Sequence, residues 1–188
     1  MGRKRTIDQE QILDAAERVV ARLGATHLTL DAVAEEAGIS KASVIYDFKT
    51  KQALIEAVVQ RAVRNDNAFN QAVTESLGPV PSAVIRGRIA AAAQPLPDEF
   101  RAVVLNLCAA LAQDAQLRTA IQANQTSVVD AIAATAASPR GARLAYLALE
   151  GLKLLESLDY HTWPEADRRE ILADIEWLVD TKPQPKSS

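Results

Sequence analysis

"AEEAGISKASVIYDFKTK", residues 34 to 51, places a helix end, a glycine, a second short helix and the start of a third within eighteen positions. Gly38 closes the first of these helices. Ser40 is a side-chain cap for the second, and Thr50 for the third. Val44 and Phe48 lie four residues apart, so they share one face of the middle helix and point inward. Lys41, Ala42, Ile45 and Tyr46 then fall on the opposite face. Two short helices joined by a three-to-four-residue turn containing glycine form a helix-turn-helix. It spans about 29–48, with Thr29 capping its first helix and Asp31 adding favourable charge there.

Outward from this stretch, the pattern remains helical. Aromatics are 4% of the 188 residues, and alternating runs of Val, Ile and Thr are missing. Apolar residues recur instead at helical spacing, which predicts an all-α chain. A helix from about Asp8 to Leu23 carries the stripe Ile12, Leu13, Ala16, Val20 and Leu23. Thr6 and Gln9 fit a capping box at its start, and Gly24 ends it. A further helix opens after Thr50 with Leu54, Ile55, Val58, Val59 and Ala62, and continues through Phe69 and Val73 to Leu77. Breaks at "GPVP" (78–81), Pro95 and Pro97, "SPRG" (138–141) and Pro164 leave helices at roughly 82–94, 98–114, 116–137, 140–159 and 165–181. The domain reading is 1–50 for the helix-turn-helix head, 51–181 for a larger helical domain and 182–188 for a frayed polar tail.

Bulk properties set limits on function. The hydrophobic content of 48%, with 24% charged residues, is that of a water-soluble globular chain. The formal net charge of −3 excludes a wholly basic nucleic-acid coat but allows a local basic patch. With Cys108 as the one cysteine, no intrachain disulfide forms, which fits a reducing cytoplasm. The basic start "MGRKRT" leads into polar residues rather than an apolar stretch, so neither a signal peptide nor a membrane anchor is expected. Motifs for zinc proteases, phosphate loops, nucleophile elbows and paired-cysteine metal sites are missing, and Cys108, Asp159 and His161 have nothing to orient them as a nucleophilic set. The chain is expected not to be an enzyme and to need no cofactor or metal.

In a helix-turn-helix the second helix enters a DNA major groove. Lys41 and Lys49 are placed to reach phosphates, with Lys51 just beyond. Ala42 and Ser43 are small enough to let the backbone near base edges, and Ser43 has a hydroxyl to offer them. Arg3, Lys4 and Arg5 form an arm for a minor groove or the backbone. Against this, residues 1–51 hold eight Lys/Arg and eight Asp/Glu. The alternative is therefore a helical protein-interaction module that does not bind DNA.

"LTLDAVAEEAGISKASVIYDFKTKQALIEAVV" (28–59) resembles the N-terminal domain of the TetR family of bacterial transcriptional regulators. The shared positions are Thr29, Ala34 to Gly38, Ser40 to Ser43, Tyr46, Phe48 and Thr50 to Leu54. Two positions depart from the pattern. Ile45 stands where a phosphate-contacting Tyr is usual, and reads either as a contact to a thymine methyl or as a core residue. Asp47 stands where His, Tyr or Asn is common, and an acid there repels phosphate. The resemblance implies three N-terminal helices on DNA, followed by a variable helical domain that binds a small-molecule effector and forms a homodimer. It also implies a cytoplasmic repressor of a palindromic operator.

Two features of the second domain have physical readings. Leu144, Leu147, Gly151, Leu154 and Leu158 follow a seven-residue repeat, and Ile171, Ile175 and Leu178 make a stripe on the last helix. Together they suit a four-helix dimer interface. Asn106, Cys108, Gln125, Tyr146 and Glu150 are polar residues among apolar ones. Buried polar groups need partners, and a ligand can be one. An unpaired carboxylate among them suits a cationic, flat or amphipathic molecule.

Overall fold

A computed structural model describes residues 8–94 and 115–183. Among them every regular element is a helix. They are α1 (Gln9–Leu23), a 3-10 turn (Ala25–His27), α2 (Leu30–Ala37), α3 (Lys41–Asp47), α4 (Lys51–Ser76), α5 (Ala83–Ala92), α6 (Ala115–Thr135), α7 (Pro139–Ser157) and α8 (Glu165–Asp180). The helix expected at 98–114 lies outside the described residues. So do Thr6, the basic arm Arg3, Lys4 and Arg5, the candidates Asn106 and Cys108, and residues 184–188 of the tail. The described residues fall into two compact units. The first comprises 8–64 and 115–121, the second 65–94 and 122–183.

In the first unit, local side-chain chemistry sets the helix ends. Asp8, in extended backbone, accepts from the Glu10 N–H and caps α1, the role assigned above to Thr6. Thr29 accepts from Ala32 N–H at 3.1 Å, Ser40 from Ser43 N–H at 3.2 Å and Thr50 from Ala53 N–H at 3.0 Å. Gly38 sits at φ +66°, where glycine has no Cβ to clash, and this left-handed turn swings α3 away from α2. The core gathers Ile12, Leu13, Ala15, Ala16, Val19 and Val20 of α1 with Val33, Val44, Phe48, Leu54 and Val58. Leu23 was expected in this stripe but is 47% exposed, because α1 ends there and the chain turns off through Gly24.

Arg61 ties α4 to α1. It is largely buried, donates to the Glu10 carbonyl at 3.1 Å, and pairs with Glu10 at 3.3 Å, Glu17 at 3.4 Å and Asp14. Burial raises the Glu17 carboxyl above the usual range, with Arg61 opposing that shift. Removing the guanidinium leaves three carboxylates crowded on one helix face. Arg61→Met is therefore expected to lower stability by about 1–2 kcal/mol, discounted for the exposure of Glu10 and Asp14. Urea denaturation checks this. An unchanged midpoint indicates that solvent already screens the cluster.

The second unit has its own core, formed by Ile85, Ile89, Val128, Ile132, Ala145, Tyr146, Leu149, Leu152, Leu172, Ile175 and Val179. α5 lies very close to the end of α4. A Cβ on Gly87 would come within 1.9 Å of Thr74 Oγ1 and 2.8 Å of its Cα, so only glycine fits there. Salt links cross the unit as well. Arg86 binds Asp180 at 2.7 Å and also Glu176, and Arg168 binds Glu156 at 2.7 Å and the Ala92 carbonyl at 2.8 Å. Glu156, an apparent misfit in an apolar helix, is thus a partner for Arg168.

Candidate functional site

The first unit presents α3 as the sequence spacing predicts. Val44 is fully buried and Phe48 is 7% exposed, so both anchor the helix from beneath. Tyr46 is 71% exposed and Ile45 38%. Lys41, Ala42, Lys49, Lys51 and Thr29 are exposed too, and Ser43 is half-buried. Ile45 is therefore a surface residue of α3 rather than a core residue.

Polar contacts tune this face. The Ser43 hydroxyl lies 2.9 Å from that of Ser40, which keeps it at the start of α3 with capacity for further hydrogen bonds. The Lys41 ammonium meets Asp31 of α2 at 2.8 Å. Both side chains are more than half exposed, so the pair is weak and holds the Lys41 ammonium only loosely. The Lys49 ammonium stands 5.8 Å from the Tyr46 ring centroid, grouping a cation with a phenol. Asp47 is half-buried and faces Gln9 of α1 at 3.5 Å, the outer limit of a hydrogen bond. Arg18 and Arg22 both bind Glu36, at 2.9 and 2.8 Å. Ion pairing thus takes up part of the head's acidic and basic side chains. A small, exposed face with lysines at its margins can accept DNA phosphates at its edges and base edges at its centre.

The second unit holds a cavity of about 460 Å³ lined by Gln125, Thr126, Val129, Asp130, Tyr146 and Glu150. Three of the expected polar residues meet there. The Tyr146 hydroxyl donates to Gln125 Oε1, and Glu150 accepts from Lys153 at 3.1 Å. Burial, reinforced by the Glu150 charge, pushes the Tyr146 hydroxyl up from its ordinary value, while Arg88 pulls it the other way. Arg88 was missed in the sequence reading. It is 6% exposed on α5, 3.6 Å from Asp66 and 3.9 Å from Glu150, and its Nε has no hydrogen-bond partner among the described residues. The signal that marks Glu150, a charge within an apolar helix, marks Arg88 in "AVIRGRIAAA" as well.

The predicted dimer residues divide. Leu144, Leu147 and Leu154 are 43%, 60% and 53% exposed along α7, and Gly151 between them has open space over its Cα. Leu158, Ile171 and Leu178 are half-buried. Ile175 is 3% exposed and belongs to the unit's own core rather than to the surface stripe. On α8 the outward apolar residue is Trp177, 68% exposed.

Comparison with known proteins places these features. The model for bacterial regulatory proteins of the tetR family matches residues 12–58, covering the helix-turn-helix. The model for the tetracyclin repressor-like C-terminal domain matches residues 82–180, more than half of the chain. The chain belongs to the TetR family. It is accordingly a DNA-binding transcriptional regulator rather than an enzyme.

Solved structures share the TetR fold at low identity. A crystal structure from Rhodococcus sp. assigned to the TetR family is 22% identical, with a TM-score of 0.73 over 92% of this chain and 98% of that one. A TetR-family member from Streptomyces coelicolor A3 is 24% identical, with a TM-score of 0.68 over 89% and 96%. The multidrug binding protein EbrR, complexed with malachite green, is 23% identical, with a TM-score of 0.71 over 92% and 98%. No curated protein matches the chain. No described helix of this TetR-family chain is long and apolar enough to cross a membrane.

Proposed function

We propose that the chain is a homodimeric repressor that holds a palindromic operator and releases it when a small molecule fills the cavity of the second unit. The observation that carries this reading is the outward display of Lys41, Ala42, Ile45 and Tyr46 over the buried pair Val44 and Phe48. One such helix reads about half a site, and a twofold mate supplies the second helix one DNA turn away, about 34–36 Å. The uncovered stripe of Leu144, Leu147 and Leu154 around Gly151 supports that mate, because a second copy of the stripe covers it. EbrR, a multidrug binding protein solved with malachite green, supports the ligand half of the reading.

The two ligands oppose each other by linkage. An effector that prefers the DNA-incompetent arrangement weakens DNA binding by the factor by which DNA weakens effector binding. Moving the population from about 99:1 to 1:99 requires a preference of about 5.5 kcal/mol. α4 is unbroken from Lys51 to Ser76 and gives occupancy of the second unit a covalent route to the head.

A gel-shift titration against the DNA upstream of the chain's own gene tests the proposal. Binding is expected to be sequence-selective, and its affinity to fall steeply and log-linearly with salt as lysines displace condensed counterions. Binding indifferent to sequence and salt, or none, supports instead a helical module that contacts protein.

A further inference from the structure

We infer that the cavity takes an organic cation with a flat apolar body, a refinement that rests on the ligand-responsive reading above. Its described walls carry two carboxylates, Glu150 and Asp130, and no ammonium or guanidinium. The Asp130 carboxylate forms no hydrogen bond or ion pair with any described residue. Glu150 is only partly compensated. Lys153 reaches it from the next helical turn at 3.1 Å and is itself half-buried, and Arg88 stands off at 3.9 Å.

Arg88 does not line the cavity, and it is shared with Asp66 at 3.6 Å. Asp66 and Glu150 thus share Arg88, Glu150 also has Lys153, and the Asp130 carboxylate on the cavity wall has no cation paired with it among the described residues. Arg88 is buried and is not among the residues that line the cavity, whereas Glu150 and Asp130 are.

The remaining wall is suited to a flat body. Val129 supplies exposed aliphatic surface, and Tyr146, 7% exposed, adds the edge of the unit's apolar core. The Tyr146 hydroxyl keeps its proton at neutral pH, since its pKa is raised, and commits that proton to Gln125. An anion entering the same space meets the Glu150 and Asp130 carboxylates, and no ammonium or guanidinium on the described wall offsets them.

The test uses the full chain and three planar fluorescent probes of different charge: ethidium (cation), Nile red (neutral) and fluorescein (anion). Fluorescence anisotropy is expected to show ethidium bound at least about tenfold more tightly than fluorescein, the scale of one charge-assisted contact. Glu150→Gln should weaken ethidium by about tenfold and leave Nile red unchanged. Asp130→Asn, at an exposed position without a partner, should weaken ethidium without disturbing the fold. If Nile red binds and ethidium binds no better, or if neither variant affects ethidium, the cation assignment is overturned while the ligand-responsive reading stands. If fluorescein binds more tightly, the assignment is reversed. If no probe binds, both readings fall.

Discussion

Tyr46→Ala is expected to weaken operator binding by about 2–4 kcal/mol, roughly 30- to 1,000-fold, while leaving the oligomeric state and helicity unchanged. The size follows from symmetry. Each dimer loses the phenol twice, and a solvent-exposed hydrogen bond to a phosphate is worth about 1–2 kcal/mol. The fold is not expected to suffer, because the side chain is 71% exposed and α3 is held by Val44 and Phe48 beneath it. Lys41→Ala belongs to the same experiment but acts differently. Its pair with Asp31 is exposed and contributes little to stability, so the loss appears on DNA. It should lower affinity on all sequences alike and reduce the salt slope by roughly 2, one contact per protomer. Gel-shift titrations at several salt concentrations, with sedimentation of the free protein, separate the two effects. If either substitution dissolves the dimer, the residue serves the fold or interface and the assignment of α3 is wrong.

Leu147→Glu is expected to split the dimer, raising its dissociation constant by roughly 150-fold or more, about 3 kcal/mol. Leu147 is the most exposed of the α7 leucines at 60% and lies beside Gly151, where open space lets another helix approach closely. Its substitution places a carboxylate in an apolar seam twice over, once from each copy, and the exposed Arg143 one turn earlier offsets it only in part. Within one protomer the same change is benign, since the side chain points away from the core. Sedimentation equilibrium reads the outcome, and operator affinity should fall with it because a lone head makes half the contacts. A Leu147→Glu protein that remains dimeric would move the interface off α7.

The parts of the fold legible in the sequence were those governed by short-range chemistry. Thr29, Ser40 and Thr50 cap their helices through bonds spanning three residues, so residue type and spacing suffice to find them. The outward set on α3 followed from the positions of Val44 and Phe48 for the same reason. Where two neighbouring residues compete, spacing alone does not decide. Asp8 caps α1 although the spacing pointed to a neighbour, and Leu23, the last residue of α1, is 47% exposed.

The last helix exposes a deeper limit. Periodicity finds its apolar stripe but not which edge meets the chain's own core, so Ile175 turned inward and Trp177 outward. The cavity depends on contacts between residues far apart in sequence. Glu150 and Tyr146 stood out as polar positions in an apolar helix, whereas Asp66 and Arg88 acquire meaning only once α4 and α5 bring them within reach of one another.

The central claim is that a twofold pair of outward-facing α3 helices reads DNA. Hydroxyl-radical footprinting of the chain on its own upstream region tests it most directly. The account predicts protected patches related by a dyad and centred about 10 base pairs, or a multiple of that, apart, on one face of the duplex, and lost together in Tyr46→Ala. A single patch without symmetry, protection that Tyr46→Ala leaves intact, or no protection at low salt would contradict it.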